Sequence, residues 1–332
     1  MTKPLVSIIT RTKNRPLTLK RLSDNLCEQV YKNFEWIIVN DCGETNEVDN
    51  IKNTAQGKGV CTKVIHNNIP KGRSFPVNLG ANHSKGKYIL ILDDDDYLHK
   101  ECLNEMVLFL ERNNKFDAVA AKTQVVIEKI DQTGNISKVK NGYLYSPKNK
   151  DFRFENIFFA NPTPVHGVLI KKNKFLSAGG FPTDIEYTED WYFWFKFSLN
   201  FKIAAIDKTL AYYSQRQTKN NKYKNSAAYN EKGDKLHRTY ELIWKKKVLK
   251  KLNEKQLRKI INNPSWKTID YSKLDFKKSS SYYSMKNKDK IIRLIPDIII
   301  KYLKKILLRL EKFSIYQKNI NKLKKLFHIS ND

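Results

Sequence analysis

The sequence predicts an α/β protein: a Rossmann-like, mostly parallel sheet flanked by helices, followed by a basic helical extension. Three observations carry this. Short apolar runs alternate with segments of helical period through roughly the first 120 of 332 residues. The apolar runs stop abruptly in polar or charged residues, as strands do where an open sheet presents its ligand-binding edge. The charge is uneven: residues 1–218 hold 31 basic and 24 acidic side chains, a net of +7, and residues 219–332 hold 31 and 10, a net of +21.

The elements follow in order. Residues 5–10 are β-rich and read as a buried strand. Pro16 suits the first turn of a helix, and Leu19, Leu22, Leu26 and Val30 follow on one helical face. Residues 35–41 form a second strand ending in Asp41, and residues 63–66 a short third. Residues 75–83 read as a helix, and residues 87–92 as a strand that runs into Asp93-Asp94-Asp95-Asp96. Residues 101–112 form an amphipathic helix with Cys102, Met106, Phe109 and Leu110 on one side. Strand signals continue at 119–121, 124–130 and 165–170, with a turn at Gly134-Asn135. A turn-rich stretch from Phe175 ends in Gly179-Gly180-Phe181-Pro182. Residues 189–199 are aromatic and helical, and residues 203–213 complete the sheet. After about Ser214 the chain turns Lys- and Asn-rich, which marks a boundary.

The whole chain carries +28, and the excess in its last third calls for an anionic partner there. In residues 291–313 apolar side chains recur at helical spacing among Lys301, Lys304, Lys305, Arg309 and Lys312. Such a basic amphipathic helix lies in the interface of an anionic membrane. The competing reading is a helix that packs its apolar side on the rest of the chain. Nucleic acid ranks behind a membrane surface, because no recognised nucleic-acid-binding motif accompanies the charge. Cys27, Cys42, Cys61 and Cys102 form no CxxC pair, which suits a reduced, cytosolic protein. The apolar stretch at residues 5–9 is short and runs into Arg11, Lys13 and Arg15, so no signal peptide is expected. No window is apolar for long enough to predict a membrane span. The expected place is the cytoplasm, peripheral on the inner face of the cytoplasmic membrane.

Four adjacent carboxylates at a strand end repel one another unless something positive sits among them. A divalent cation is the simplest candidate, and hard oxygen ligands at this density suit Mg²⁺ or Mn²⁺. The plainer alternative is a solvated acidic loop. On an extended chain Asp93 and Asp95 share one face and Asp94 takes the other.

Five features now fall in one order: a strand ending Thr10-Arg11, a strand ending Asp41, Lys71-Gly72-Arg73-Ser74 with Asn78-Leu79-Gly80, the aspartate cluster, and Glu189-Asp190-Trp191. In this order and spacing they resemble the family-2 glycosyltransferases, which have a GT-A fold, over roughly residues 4–215. The resemblance implies a catalytic domain at 1–218, with a nucleotide-binding part at 1–98 and an acceptor-binding part at 99–218. Residues 219–332 lie outside it and are expected to be a membrane-associating helical tail.

The resemblance further implies a nucleotide-sugar donor, UDP-linked, beside Thr10, Arg11 and Arg15. Asp41 would accept a hydrogen bond from the base, Arg73 would meet base or phosphates, and Asn78 would order that loop. Asp93 and Asp95 match an Asp-x-Asp element, with Asp94 at its variable position and Asp96 next. Asp95 would bind the metal directly, with Asp93 on ribose or metal and Asp96 in support. Asp190 would be the general base for the acceptor hydroxyl; its plainer role is a helix cap. Glu189, Trp191 and His166 would lie around the acceptor. Many relatives place a His shortly after the last sheet strand; here Arg216 is the candidate for the diphosphate instead. The implied function is metal-dependent, inverting sugar transfer to a saccharide or lipid-linked saccharide in bacterial surface polysaccharide synthesis. Two rivals fare worse. A sugar nucleotidyltransferase would show a Gly-rich phosphate loop, and residues 10–16 contain no Gly. A nucleic-acid-binding protein leaves the aspartates and Asp190 without a role.

Overall fold

A computed structural model describes residues 4–217, 223 and 231–266; the predicted helix at 291–313 lies outside the described residues. The chain divides into two compact units, Met1–Ile157 with Asn161–Ala228, and Phe158–Ala160 with Tyr229–Asp332.

The first unit opens with β1 (Val6–Thr12), α1 (Pro16–Cys27), β2 (Phe34–Asp41), α2 (Asn46–Gly57), β3 (Cys61–Asn67), α3 (Ser74–His83) and β4 (Tyr88–Ile91). Their strands lie in the order β3-β2-β1-β4, all parallel. Helical crossovers between parallel neighbours produce this arrangement. The apolar face of α1 ends with the helix at Cys27, so Val30 falls beyond it and is 51% exposed. The sequence reading did not find α2, whose apolar stripe is only Val48, Ile51 and Ala55 in an otherwise polar helix.

Then come β5 (Tyr97–Leu98), α4 (Cys102–Arg112), β6 (Ala118–Ile130), β7 (Ile136–Tyr145), α5 (Phe154–Ile157), β8 (Val168–Lys171), α6 (Lys172–Ser177), α7 (Glu189–Ser198) and β9 (Ile203–Gln217). β8 runs antiparallel between β4 and β6, β9 runs parallel to β6, and β5 and β7 pair antiparallel at β9 and β6. The sheet is therefore mixed: parallel in its first half, with antiparallel pairs dominating beyond β4. The two short strands expected at 119–121 and 124–130 are one strand, β6, with register shifts around Lys122.

One face of the sheet buries Ile8, Trp36, Tyr88 and Leu90 against Leu19, Leu22 and Leu26 of α1 and Met106 of α4. Each such side chain contributes about 1.5–3 kcal/mol on burial. On the other face a Cβ at Gly80 would stand 2.5 Å from Ile9 Cγ2, so glycine lets α3 lie directly against β1. In the second unit, α8 (Glu231–Leu249) and α9 (Glu254–Ile261) are described. There Trp244 meets Phe158 edge-on at 6.2 Å, and the buried Lys245 is ion-paired with Glu241. Among the described residues no helix is long and apolar enough to cross a membrane.

Candidate active site

The ends of β1 and β4 meet at the aspartates. β4 stops at Ile91 and residues 93–96 form a turn, closed by the Asp96 N–H on the Asp93 carbonyl at 3.2 Å. The alternation expected of an extended chain therefore does not apply: Asp94 and Asp95 both face Arg15, whose Nη1 lies 3.4 and 3.2 Å from them.

Each carboxylate has its own partners. Arg11 grips Asp93 with a two-pronged fork, at 2.7 and 3.1 Å. Asp94 also accepts the Thr12 hydroxyl at 2.7 Å. Asp95 also takes the guanidinium of Arg216, a side chain with no exposure. Asp96 accepts His166 Nδ1 at 2.9 Å and the Ser214 N–H at 2.9 Å. The repulsion anticipated from sequence is thus answered by three guanidinium groups and a histidine of the chain itself. Burial would raise the Asp93 carboxyl, but Arg11 outweighs it and holds the group at about 2. Burial, and then the charge of Asp95, push Asp94 up to about 7. Burial pushes Asp96 up to about 6 against the pull of His166. His166 is itself raised: burial opposes the shift and Asp96 prevails.

The fold implies a divalent cation at these residues. Both oxygens of Asp93, Asp94 and Asp96 accept hydrogen bonds from the chain; Asp95 Oδ1 is the one oxygen of the cluster with no such partner among the described residues. No group of three or more His, Cys, Asp or Glu among the described residues is arranged to hold an ion. Nucleotide-bound Mg²⁺ commonly uses only one or two carboxylates, with substrate phosphates and water completing its shell. Asp95 fits that mode, and an all-protein cage does not.

The other predicted donor-side residues scatter. Asp41 ends β2 and accepts Asn67 Nδ2 at 2.6 Å. Arg73 offers its carbonyl to Arg11 at 2.8 Å and its guanidinium to Glu189 at 3.7 Å. Thr10 and Asn78 lie away from the cluster. Thr10 is fully buried and accepts Trp36 Nε1 at 2.9 Å inside the sheet, so Thr12, two residues nearer the strand end on the same face, meets the cluster instead. Asn78 spends its side chain on the backbone of Phe181, with Nδ2 on the carbonyl at 2.9 Å and Oδ1 under the N–H at 2.8 Å. It clips the Gly179-Gly180-Phe181 element rather than lining the nucleotide region. That element needs its glycines: both have positive φ, and a Cβ on Gly180 would come within 2.5 Å of Asn78 Oδ1.

On the other side, α7 begins with Glu189 and Asp190. Glu189 meets Arg11 at 3.3 Å. Asp190 Oδ1 accepts the Trp191 N–H at 2.7 Å and Oδ2 accepts Asn161 Nδ2 at 3.1 Å. Burial, and then the neighbouring Glu189, push Asp190 up to about 6. Trp191 is buried and donates its indole N–H to the Ile157 carbonyl at 2.6 Å, which makes it part of the wall.

Sequence reasoning missed Thr12, Arg21, Asn67 and Asn161. Arg21, on the helix α1, binds Glu128 at 2.8 and 2.9 Å and the Asp95 carbonyl at 2.5 Å, beneath the turn. In sequence it reads as a surface charge. Asn67 is the register partner of Asp41, a signal available only once β2 and β3 are paired.

A parallel half joined to a mixed half, with carboxylates at the junction, is the arrangement of the GT-A glycosyltransferase fold. Comparison agrees: the solved structure of Staphylococcus aureus TarS residues 1–349 has a TM-score of 0.59 at 19% identity, over 98% of this chain and 90% of that one. The same TarS fragment has been solved with UDP-GlcNAc. Residues 7–165 match the family model of glycosyl transferase family 2, just under half of the chain. An uncharacterised glycosyltransferase of Methanocaldococcus jannaschii is 29% identical over 216 residues, 64% of this chain and 71% of that protein. The poly(ribitol-phosphate) β-N-acetylglucosaminyltransferase TarP of Staphylococcus aureus is 26% identical over 300 residues, 86% of this chain and 85% of TarP. The chain spans 58–71% of the lengths of five uncharacterised glycosyltransferases that it matches.

Proposed function

We propose that the chain is an inverting glycosyltransferase that moves a sugar from a UDP-linked donor to a saccharide acceptor. The observation that carries the reading is Arg11, which bonds Asp93 on the donor side and Glu189, next to Asp190, on the other. One guanidinium gathers into a single site carboxylates that lie far apart in sequence.

The roles follow from chemistry. Asp41 accepts a hydrogen bond from the base, with Asn67 fixing its orientation. Arg15, Arg73 and Arg216 supply positive charge to the diphosphate, for which forked guanidinium donors are suited. Asp190 takes the proton of the acceptor hydroxyl as that oxygen attacks the anomeric carbon opposite the departing UDP, which inverts the configuration. Glu189 keeps Arg11 and Arg73 beside it, and His166 supports the turn through Asp96. Mg²⁺ or Mn²⁺, held through Asp95, would supply Lewis-acid neutralisation of the leaving diphosphate.

TarS binds UDP-GlcNAc, which makes it the first donor to assay. The setting we favour is surface polysaccharide assembly on the inner face of the bacterial membrane, with a lipid-linked acceptor and residues 219–332 drawn to anionic lipid. A second reading has one observation in its favour: TarP, named for a poly(ribitol-phosphate) acceptor, aligns over 86% of this chain. The net +21 would then serve a polyol-phosphate polymer. Shortening the chain to residues 1–266 separates the two. Loss of binding to phosphatidylglycerol vesicles with polymer binding intact supports the membrane; the reverse supports the polymer. For the reaction itself, Asp190→Asn should abolish transfer and spare UDP binding; retained transfer would sink the assignment of the base.

A further inference from the structure

We propose that Asn161 is a positioning residue for Asp190, turning its carboxylate toward the acceptor hydroxyl. The inference rests on Asp190 being the base. Asp190 lies in the first turn of α7, where an aspartate ordinarily serves the helix's free N–H groups. Here only Oδ1 does so, on the Trp191 N–H. Oδ2 is held from outside the helix, by the Asn161 amide at 3.1 Å.

The charged neighbours make this bond decisive. Glu189 on the same helix and Arg73 at the start of α3 are the charged groups facing Asp190. Both arginines of the region, Arg11 and Arg73, go to Glu189, at 3.3 and 3.7 Å. Among the described residues Asp190 has no ion pair, so neutral donors alone fix its orientation. A base in an ion pair would be a poor proton acceptor; one held by neutral amides keeps its basicity.

The segment that carries Asn161 is pinned to the same helical turn at a second point, where Trp191 Nε1 donates to the Ile157 carbonyl. Asn161 Oδ1 is buried with no partner. For packing alone an apolar side chain of that size would cost less than a buried carbonyl left unmet. What the asparagine supplies at this place is its N–H.

The experiment measures kcat/KM against pH for the full chain and for Asn161→Ala, Asn161→Ser and Asp190→Asn, with UDP affinity and thermal unfolding in parallel. Asn161→Ala should lower kcat about 10–100-fold, the value of a hydrogen bond to a charged group, with UDP affinity unchanged. Its acidic limb should move up by about one unit, because a donor that favoured the carboxylate is gone. Asn161→Ser, which keeps a short donor, should recover part of both. A loss of thermal stability with kcat and the acidic limb unmoved would reduce Asn161 to a loop brace and overturn the proposal. If Asp190→Asn retains transfer, the base assignment fails instead. If it abolishes transfer while Asn161→Ala leaves the limb in place, only the positioning role fails.

Discussion

The two sides of the site hold their carboxylates in opposite ways. On the donor side four adjacent aspartates share Arg11, Arg15, Arg216 and His166, and each has a basic side chain within hydrogen-bonding reach. On the acceptor side two carboxylates divide the work: Glu189 takes the arginines and Asp190 takes two neutral N–H donors. The difference separates two tasks. Groups that answer a diphosphate must stay anchored in a field of fixed charge, whereas a group that receives a proton must remain basic. Asp93 is held at about 2 by Arg11 and Asp190 is pushed up to about 6, although both are half-buried carboxylates.

The largest effect should come from the acceptor side. Asp190→Asn should reduce transfer by about 10²–10⁴-fold, the usual worth of a general base. The wild-type pH profile tests the same point. Asp190 accepts a proton only when ionised, and burial raises its pKa, so kcat/KM should fall tenfold per unit as pH drops below about 6. An acidic limb near 4, where an ordinary carboxyl titrates, would erase the contrast between the two sides.

Next is the donor side. Asp95→Ala should abolish metal-stimulated turnover, on the order of 10²–10³-fold, since charge neutralisation at a leaving diphosphate is worth several kcal/mol. Unchanged activity in EDTA would instead mean that Arg15 and Arg216 suffice there. Asp93→Asn should affect metal affinity less, because both Asp93 oxygens already face Arg11.

Arg11 is the tie between the halves. Arg11→Ala should cost about 10–100-fold in kcat/KM, and Arg11→Lys should not restore it, because an ammonium cannot make the fork to Asp93 while reaching Glu189. A lysine variant with normal kinetics would show that the halves need no common cation.

Much of this was legible in sequence for a physical reason. The strands of the parallel half are buried on both faces, so their apolar runs are strong, and their ends mark the ligand edge. Asp93, Asp95, Asp190, Arg11 and Arg73 are singled out by those ends and by the resemblance. The illegible part lies in partners across the fold. Arg21 and Asn161 carry no local signal, and their meaning comes from Asp95 and Asp190 at sequence separations of 74 and 29. The turn at 93–96 was also hidden: four identical residues carry no periodicity, so alternation was the default. Like charges in sequence point to an ion only while the arginines that a fold brings from distant elements are unseen.

The smallest effect tests whether both sides use one device. Asn67 holds Asp41 on the donor side as Asn161 holds Asp190 on the other, each through an Nδ2–H on one carboxylate oxygen, at 2.6 and 3.1 Å. The bonds should differ in what they control. In the role proposed for it Asp41 contacts the base and takes no part in proton transfer, so Asn67→Ala should raise the donor KM about 5–10-fold and leave kcat unchanged. Its pH profile should not move. Asn161→Ala should do the reverse, lowering kcat and shifting the acidic limb with little change in donor KM. If Asn67→Ala lowers kcat and spares KM, base contact and proton transfer are not divided between the two sides as the carboxylate environments require.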